Sequence, residues 1–157
     1  IQFHDPYVTE FRSDYHKKSL DEIFSTSDIV SIHLPVTPET KGMINGQLLK
    51  KMKKDAIFIN TARAAVVNRE DLLDVLEQQL IRGAVLDVFD NEPPDELDYR
   101  IIDLPQVIAT PHIAGATFEV EDHHAAIMKE ALLQWYAHAN RNIPQLANKE
   151  ILKVHFQ

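Results

Sequence analysis

The sequence contains no cysteine, which excludes disulfides, thiolate-bound zinc and thiol catalysis together. It has only four glycines, Gly42, Gly46, Gly83 and Gly115, and none of them builds a Gly-x-Gly-x-x-Gly turn between a strand and a helix. Apolar runs stop at about strand length, short of the roughly 20 residues that a membrane-spanning helix needs. Basic residues are outnumbered, with 16 Lys and Arg against 24 Asp and Glu, for a formal net charge of -8. Nonspecific attraction to nucleic acid or to an anionic membrane depends on basic patches that displace counterions, so neither partner is expected. No secretory signal is visible, and with the missing cysteine this points to a cytoplasmic protein.

What remains is a foldable composition, 45% apolar and 25% charged over 157 residues. That is enough for one domain with a real hydrophobic core and too little for two separate cores. Short β-branched runs at Ile29 to Leu34, Ala56 to Asn60, Ala84 to Val88 and Val107 to Thr110, and a weaker one at Ile1 to His4, read as buried strands. Helical periods alternate with them. Leu20, Ile23 and Phe24 follow a Ser19 and Glu22 cap, Leu48, Leu49 and Met52 follow Asn45, and Leu72, Val75, Leu76 and Leu80 follow Asn68 with Asp71. The longest helix repeats its apolar positions at Met128, Leu132, Trp135 and Ala139, with Met128 and Trp135 read as core. This alternation predicts an α/β fold: a Rossmann-like, doubly wound parallel sheet with crossover helices on both faces. Residues 1–140 are assigned to it, and 141–157, with Pro144, to a tail.

Ligands of open parallel sheets bind beyond the carboxyl ends of the strands, where loops converge and helix N-termini point inward. Those ends carry Asp5 and Pro6, then Pro35, then Asn60, Thr61 and Arg63, then Asp87, and finally Pro111 and His112. Taken singly, each has a plainer role: an acid after a strand is most often a turn residue, and a lone histidine is often structural. Delivered to one rim, an arginine, acids and a histidine form the inventory of an oxidoreductase site. His123 and His124 are neighbours that point apart on a helix, so no metal is expected.

Five stretches carry a family resemblance: His4-Asp5-Pro6-Tyr7, Ser27 to Pro35, Phe58-Ile59-Asn60-Thr61-Ala62-Arg63, Leu86-Asp87-Val88-Phe89 with Glu92-Pro93, and Thr110-Pro111-His112-Ile113-Ala114-Gly115. In them the sequence resembles the D-isomer-specific 2-hydroxyacid dehydrogenases, in the carboxyl-terminal part of their NAD-binding domain. The resemblance implies hydride transfer between a D-2-hydroxy or 2-keto acid substrate and NAD. It implies a catalytic set of Arg63, Glu92 and His112. Arg63 would hold the substrate carboxylate, His112 would serve as acid and base, and Glu92 would fix the imidazole tautomer and favour the imidazolium. It also implies a cofactor-binding set of Asp5, Pro35, Asn60, Thr61, Ala62, Arg63, Asp87, His112, Ala114 and Gly115. Asp5 would accept from the adenosine ribose and disfavour a 2'-phosphate, and Asp87 would meet the nicotinamide carboxamide.

The sequence departs from the family pattern in its phosphate loop. By the resemblance, that loop would precede Ile1, together with the first strand and a substrate domain to which the tail would return. The expected consequences are a gap between the Phe3 and Phe58 strands, self-association across it, and a chain that by itself binds NAD weakly and is inactive. Ala64 stands where the family usually has glycine, so strain is expected if that position needs positive φ, and Asp90 for glutamate is expected to be neutral. A dinucleotide-sensing interaction protein of the corepressor type is the alternative function.

Overall fold

Local sequence chemistry starts each helix where its cap residue stands. In this computed structural model, which describes residues 1–137, helix α1 (Leu20–Thr26) opens on a reciprocal capping box. Ser19 accepts from the Glu22 N–H, and the Ser19 N–H donates to the Glu22 carboxylate, which together with Lys18 holds that carboxyl down at about 2. Helix α2 (Gly46–Leu49) is a short piece capped by Asn45. Helix α3 (Arg69–Glu77) is capped by Asn68. The second half of that expected box is redirected, because the Asp71 carboxylate accepts from the Gly46 N–H at 2.7 Å and so ties α3 to α2. Helix α4 (Glu96–Ile102), which periodicity did not reveal, has its own box between Asp95 and Asp98.

The chain divides into two compact units, Ile1–Ala114 and Gly115–Gln157. In the first, strands β3 (Ile29–Ile32), β4 (Ile57–Asn60), β5 (Gly83–Leu86) and β6 (Val107–Ala109) form one fully parallel sheet in that order. Strand β1 (Gln2–Phe3) pairs instead with β2 (His16–Lys17), a two-residue polar strand that the apolar pattern could not show. Two expectations are corrected here. The strand ends do not belong to one five-stranded sheet, and the Phe58 strand has no gap beside it, because the Ile29 strand fills that position. The break in pairing lies between the β1–β2 pair and β3.

Register decides which face is the core. Val30, Phe58 and Ala84 lie level, as do Ile32, Asn60 and Leu86, and all six are buried. They pack with Phe24, Leu49, Val75, Leu76 and Ile101 from the helices. The opposite row, Ser31, Ile59, Val85 and Ile108, is half-buried or exposed, and Ile29 and Ile108 are 58% and 64% exposed. Within this unit the helices pack on the buried face. Gly83 sets the spacing at the far end of β5. A Cβ there would stand 2.3 Å from the Gln106 carbonyl oxygen, the same atom that accepts the Ala84 N–H. Gly83→Ala must push β5 off β6 and should cost about 1–3 kcal/mol, read as a lower midpoint in urea unfolding.

The second unit contains helix α5 (Phe118–Tyr136), capped by Thr117. None of its residues is buried, and Met128, expected in the core, is 61% exposed, while Trp135 is half-buried. Ala139, the boundary at residue 140 and the tail lie outside the described residues.

Candidate active site

One row of residues, Ile32, Asn60, Leu86 and Ala109, lies level across the parallel sheet. Just beyond it the chain leaves each strand, so Pro35, Thr61 to Arg63, Asp87 and Thr110 to His112 follow from one edge. Asp5 follows β1 in the smaller sheet, where its Oδ1 accepts the N–H groups of Tyr7 at 2.8 Å and Val8 at 3.3 Å. Pro35 is exposed, and its carbonyl accepts from the Thr40 hydroxyl at 2.7 Å.

Asn60 builds the loop that carries the arginine. It is 2% exposed, its Oδ1 accepts from the Ala62 N–H at 3.0 Å, and its Nδ2 donates to the Arg63 carbonyl at 3.0 Å. Its side chain is committed to the backbone of Ala62 and Arg63. The Arg63 guanidinium is exposed, donates to the Ala62 carbonyl at 2.6 Å, and makes no ion pair among the described residues. Ala64 opens a single 3-10 turn, Ala64–Val66, without positive φ. The strain expected there does not arise.

Asp87 performs the same service for the histidine. Its buried Oδ1 accepts from the Thr110 hydroxyl and from the Ile113 N–H at 2.9 Å, and its Oδ2 accepts from the Ala114 N–H at 2.9 Å. Burial pushes this carboxyl up, but the Thr110 hydroxyl and the two backbone donors outweigh it and hold it below the usual carboxylate range. Between those anchored residues His112 sits at φ 55, in the left-handed region that non-glycine residues seldom occupy.

Glu92 meets this histidine, with Nδ1 at 2.7 Å from Glu92 Oε1. An ionised carboxylate only accepts, so Nδ1 carries the proton and Nε2 is left to exchange one with a ligand. A cavity of about 350 Å³ adjoins the pair, lined largely by apolar groups that include Phe89, Pro94, Ile102 and Pro111. Ala114 is exposed beside its Asp87 contact, while Gly115 belongs to the second unit, where nothing stands within 4 Å of a Cβ built on it. The structure thus joins Glu92 to His112, Asp87 to the His112 turn, and Asn60 to the Arg63 loop. Burial of Asn60 and Asp87 is what sequence reasoning could not supply.

The family model for the NAD binding domain of D-isomer specific 2-hydroxyacid dehydrogenases matches residues 1–114, and the chain belongs to that family. It is 56% identical over 154 residues to the Bacillus subtilis protein YoaD, whose name places it among the 2-hydroxyacid dehydrogenases; the match covers 98% of this chain and 45% of YoaD. It is 43% identical to a glyoxylate reductase of Thermofilum pendens, covering 86% of this chain and 39% of that protein. A D-isomer specific 2-hydroxyacid dehydrogenase from Lactobacillus delbrueckii ssp. bulgaricus, solved with NAD, superposes with a TM-score of 0.76 at 29% identity, over 92% of this chain and 47% of that one. The chain therefore spans less than half the length of each of these relatives.

The residues present fit the two ends of a dinucleotide. One Asp5 oxygen lies outside its turn and is open to a hydroxyl donor such as a ribose carries, and the edge at Arg63 and His112 offers charge and an exchangeable proton. No glycine-rich cradle for a pyrophosphate lies among the described residues. No described helix is long and apolar enough to cross a membrane.

Proposed function

We propose that this chain is the carboxyl-terminal part of the NAD-binding domain of a D-2-hydroxyacid dehydrogenase, which in the full-length protein moves a hydride between a D-2-hydroxy or 2-keto acid and NAD. The observation that carries the reading is the Glu92–His112 contact of 2.7 Å at the end of β6, on the same sheet edge from which Arg63 emerges. When bound, the nicotinamide supplies hydride acceptance and donation at carbon. Arg63 anchors the substrate carboxylate through its planar fork of donors. His112 takes the 2-hydroxyl proton at Nε2 during oxidation and returns it during reduction, and Glu92 stabilises the imidazolium between those events. Asn60, Thr61 and Ala62 hold the Arg63 loop, while Asp87 and Ala114 hold the His112 turn. Asp5 accepts from the adenosine ribose, and Pro35 belongs to the same cofactor-binding set.

The corepressor-type alternative draws no support from the relatives, whose names are those of dehydrogenases and reductases. A cytoplasmic location and self-association belong to the same proposal. The motive for association, in this chain by itself, is the outer edge of β3, which pairs with no other strand among the described residues. The test is a steady-state assay of the full-length protein with NADH and short 2-keto acids, glyoxylate among them. NADH oxidation that depends on the keto acid is expected. A preparation that binds NADH in calorimetry yet oxidises it with none of them would overturn the reading.

A further inference from the structure

The Glu92–His112 contact is made by two side chains that are 55% and 44% exposed. An exposed ion pair of this kind contributes too little to hold a loop against solvent, so the position of Glu92 has to be fixed by its own backbone. Glu92 lies in the segment between β5 and α4, and that segment is gripped at a point the reaction does not use.

The grip is Arg69, the first residue of α3. A cation in the first turn of a helix opposes the helix dipole, so its side chain gains nothing from its own element. Instead its guanidinium reaches across to the segment that carries Glu92. Nη1 lies 2.8 Å from Asp95 Oδ2 and 3.2 Å from Asp98 Oδ1, and Nε lies 3.3 Å from Asp90 Oδ2. The acids close the loop among themselves. Asn91 Nδ2 donates to Asp95 Oδ2 at 2.7 Å, and the Asp95 N–H lies 3.4 Å from Asp98 Oδ2. Asp98 is 2% exposed, which makes the pairing costly to break from one side. Asp90 and Asp95 flank Glu92 on both sides, and Pro93 and Pro94 stiffen the backbone between.

We infer that Arg69 is a positioning residue for the proton-transfer pair, holding the 90–98 segment so that Glu92 meets Nδ1 of His112. The catalytic consequence rests on the proposed dehydrogenase function; the geometric one does not. The ionisable groups that bear on His112 are Glu92 from this segment and Asp87 from the end of β5, and Arg69 acts on the first alone.

The test reads the tautomer of His112. In full-length protein labelled with 15N in its histidine rings, NMR above the histidine titration range should show Nδ1–H for His112, with its signals identified by their loss in His112→Gln. Arg69→Met should mix in the Nε2–H form, as should Glu92→Ala, and adding Arg69→Met to Glu92→Ala should change nothing more. Arg69→Lys should recover part of the parent pattern, and kcat for keto-acid reduction should fall about 3- to 30-fold in Arg69→Met with little change in KM. Asp95→Asn keeps an N-cap acceptor while removing the charge, and it carries the test should Arg69→Met fail to fold. Parent-like ring signals in Arg69→Met, or in Asp95→Asn, would overturn the proposal, as would an undiminished Arg69→Met effect in the Glu92→Ala background. A tautomer change in a protein that reduces no keto acid would leave the positioning role standing and remove the dehydrogenase reading.

Discussion

Replacing His112 by glutamine should lower kcat for keto-acid reduction by about 10²- to 10⁴-fold, the range that a positioned acid and base supplies. The Michaelis constant for the acid should move little, because the role proposed for the imidazole is at the proton and not at the carboxylate. Arg63→Gln should show the other pattern, raising that constant by roughly 10- to 100-fold as the planar fork is lost. The structural basis for the contrast is that Arg63 makes no ion pair among the described residues, whereas the His112 ring is already held by Glu92 at 2.7 Å. Steady-state kinetics of the two variants of the full-length protein separate the roles. Parental turnover in His112→Gln would end the assignment of that residue.

Asp87→Ala is expected to be the most damaging change that leaves every proton carrier in place. It strands the Thr110 hydroxyl and two backbone N–H groups in a site where the carboxylate is 2% exposed, a loss of about 2–4 kcal/mol. Turnover should fall as well, since the left-handed His112 turn loses the contacts that enforce it. Acid has the same target. Because the folded carboxyl lies below its ordinary range, its contribution is complete above the unfolded value of about 4 and is lost as pH falls through the folded one. Urea unfolding at a series of pH values should therefore show a decline below about pH 4 that is shallower in Asp87→Asn. An equal slope in both would remove Asp87 from the account.

The parts of this molecule legible in the sequence are those with a local cause. The four main strands announce themselves as β-branched runs, and Ser19, Asn45 and Asn68 mark three helix starts because a cap is a contact within four residues. The meeting of Glu92 and His112 is legible because their neighbours form recognisable strings. Strand β2 escapes because two polar, exposed residues carry no pattern, and α4 escapes behind Pro93 and Pro94, which read as loop. Asn60 and Asp87 are found by position, yet whether an amide or carboxylate faces a ligand or its own backbone depends on burial, which a strand end does not encode. Arg69 is invisible for the same reason, since its partners lie up to 29 residues away and meet it only after α3 and α4 pack.

The strand order β3-β4-β5-β6 repeats the order of the chain. Each strand can therefore dock on the one synthesised just before it, and the sheet can grow in the direction of translation without waiting for a distant partner. Arg63 is delivered when the second of these strands docks, and His112 only when the last one does. An incomplete chain held on the ribosome would thus carry the proposed carboxylate anchor before the proposed proton carrier. Thermal opening that begins at the β6 edge would remove His112 first and leave the older part of the sheet in place.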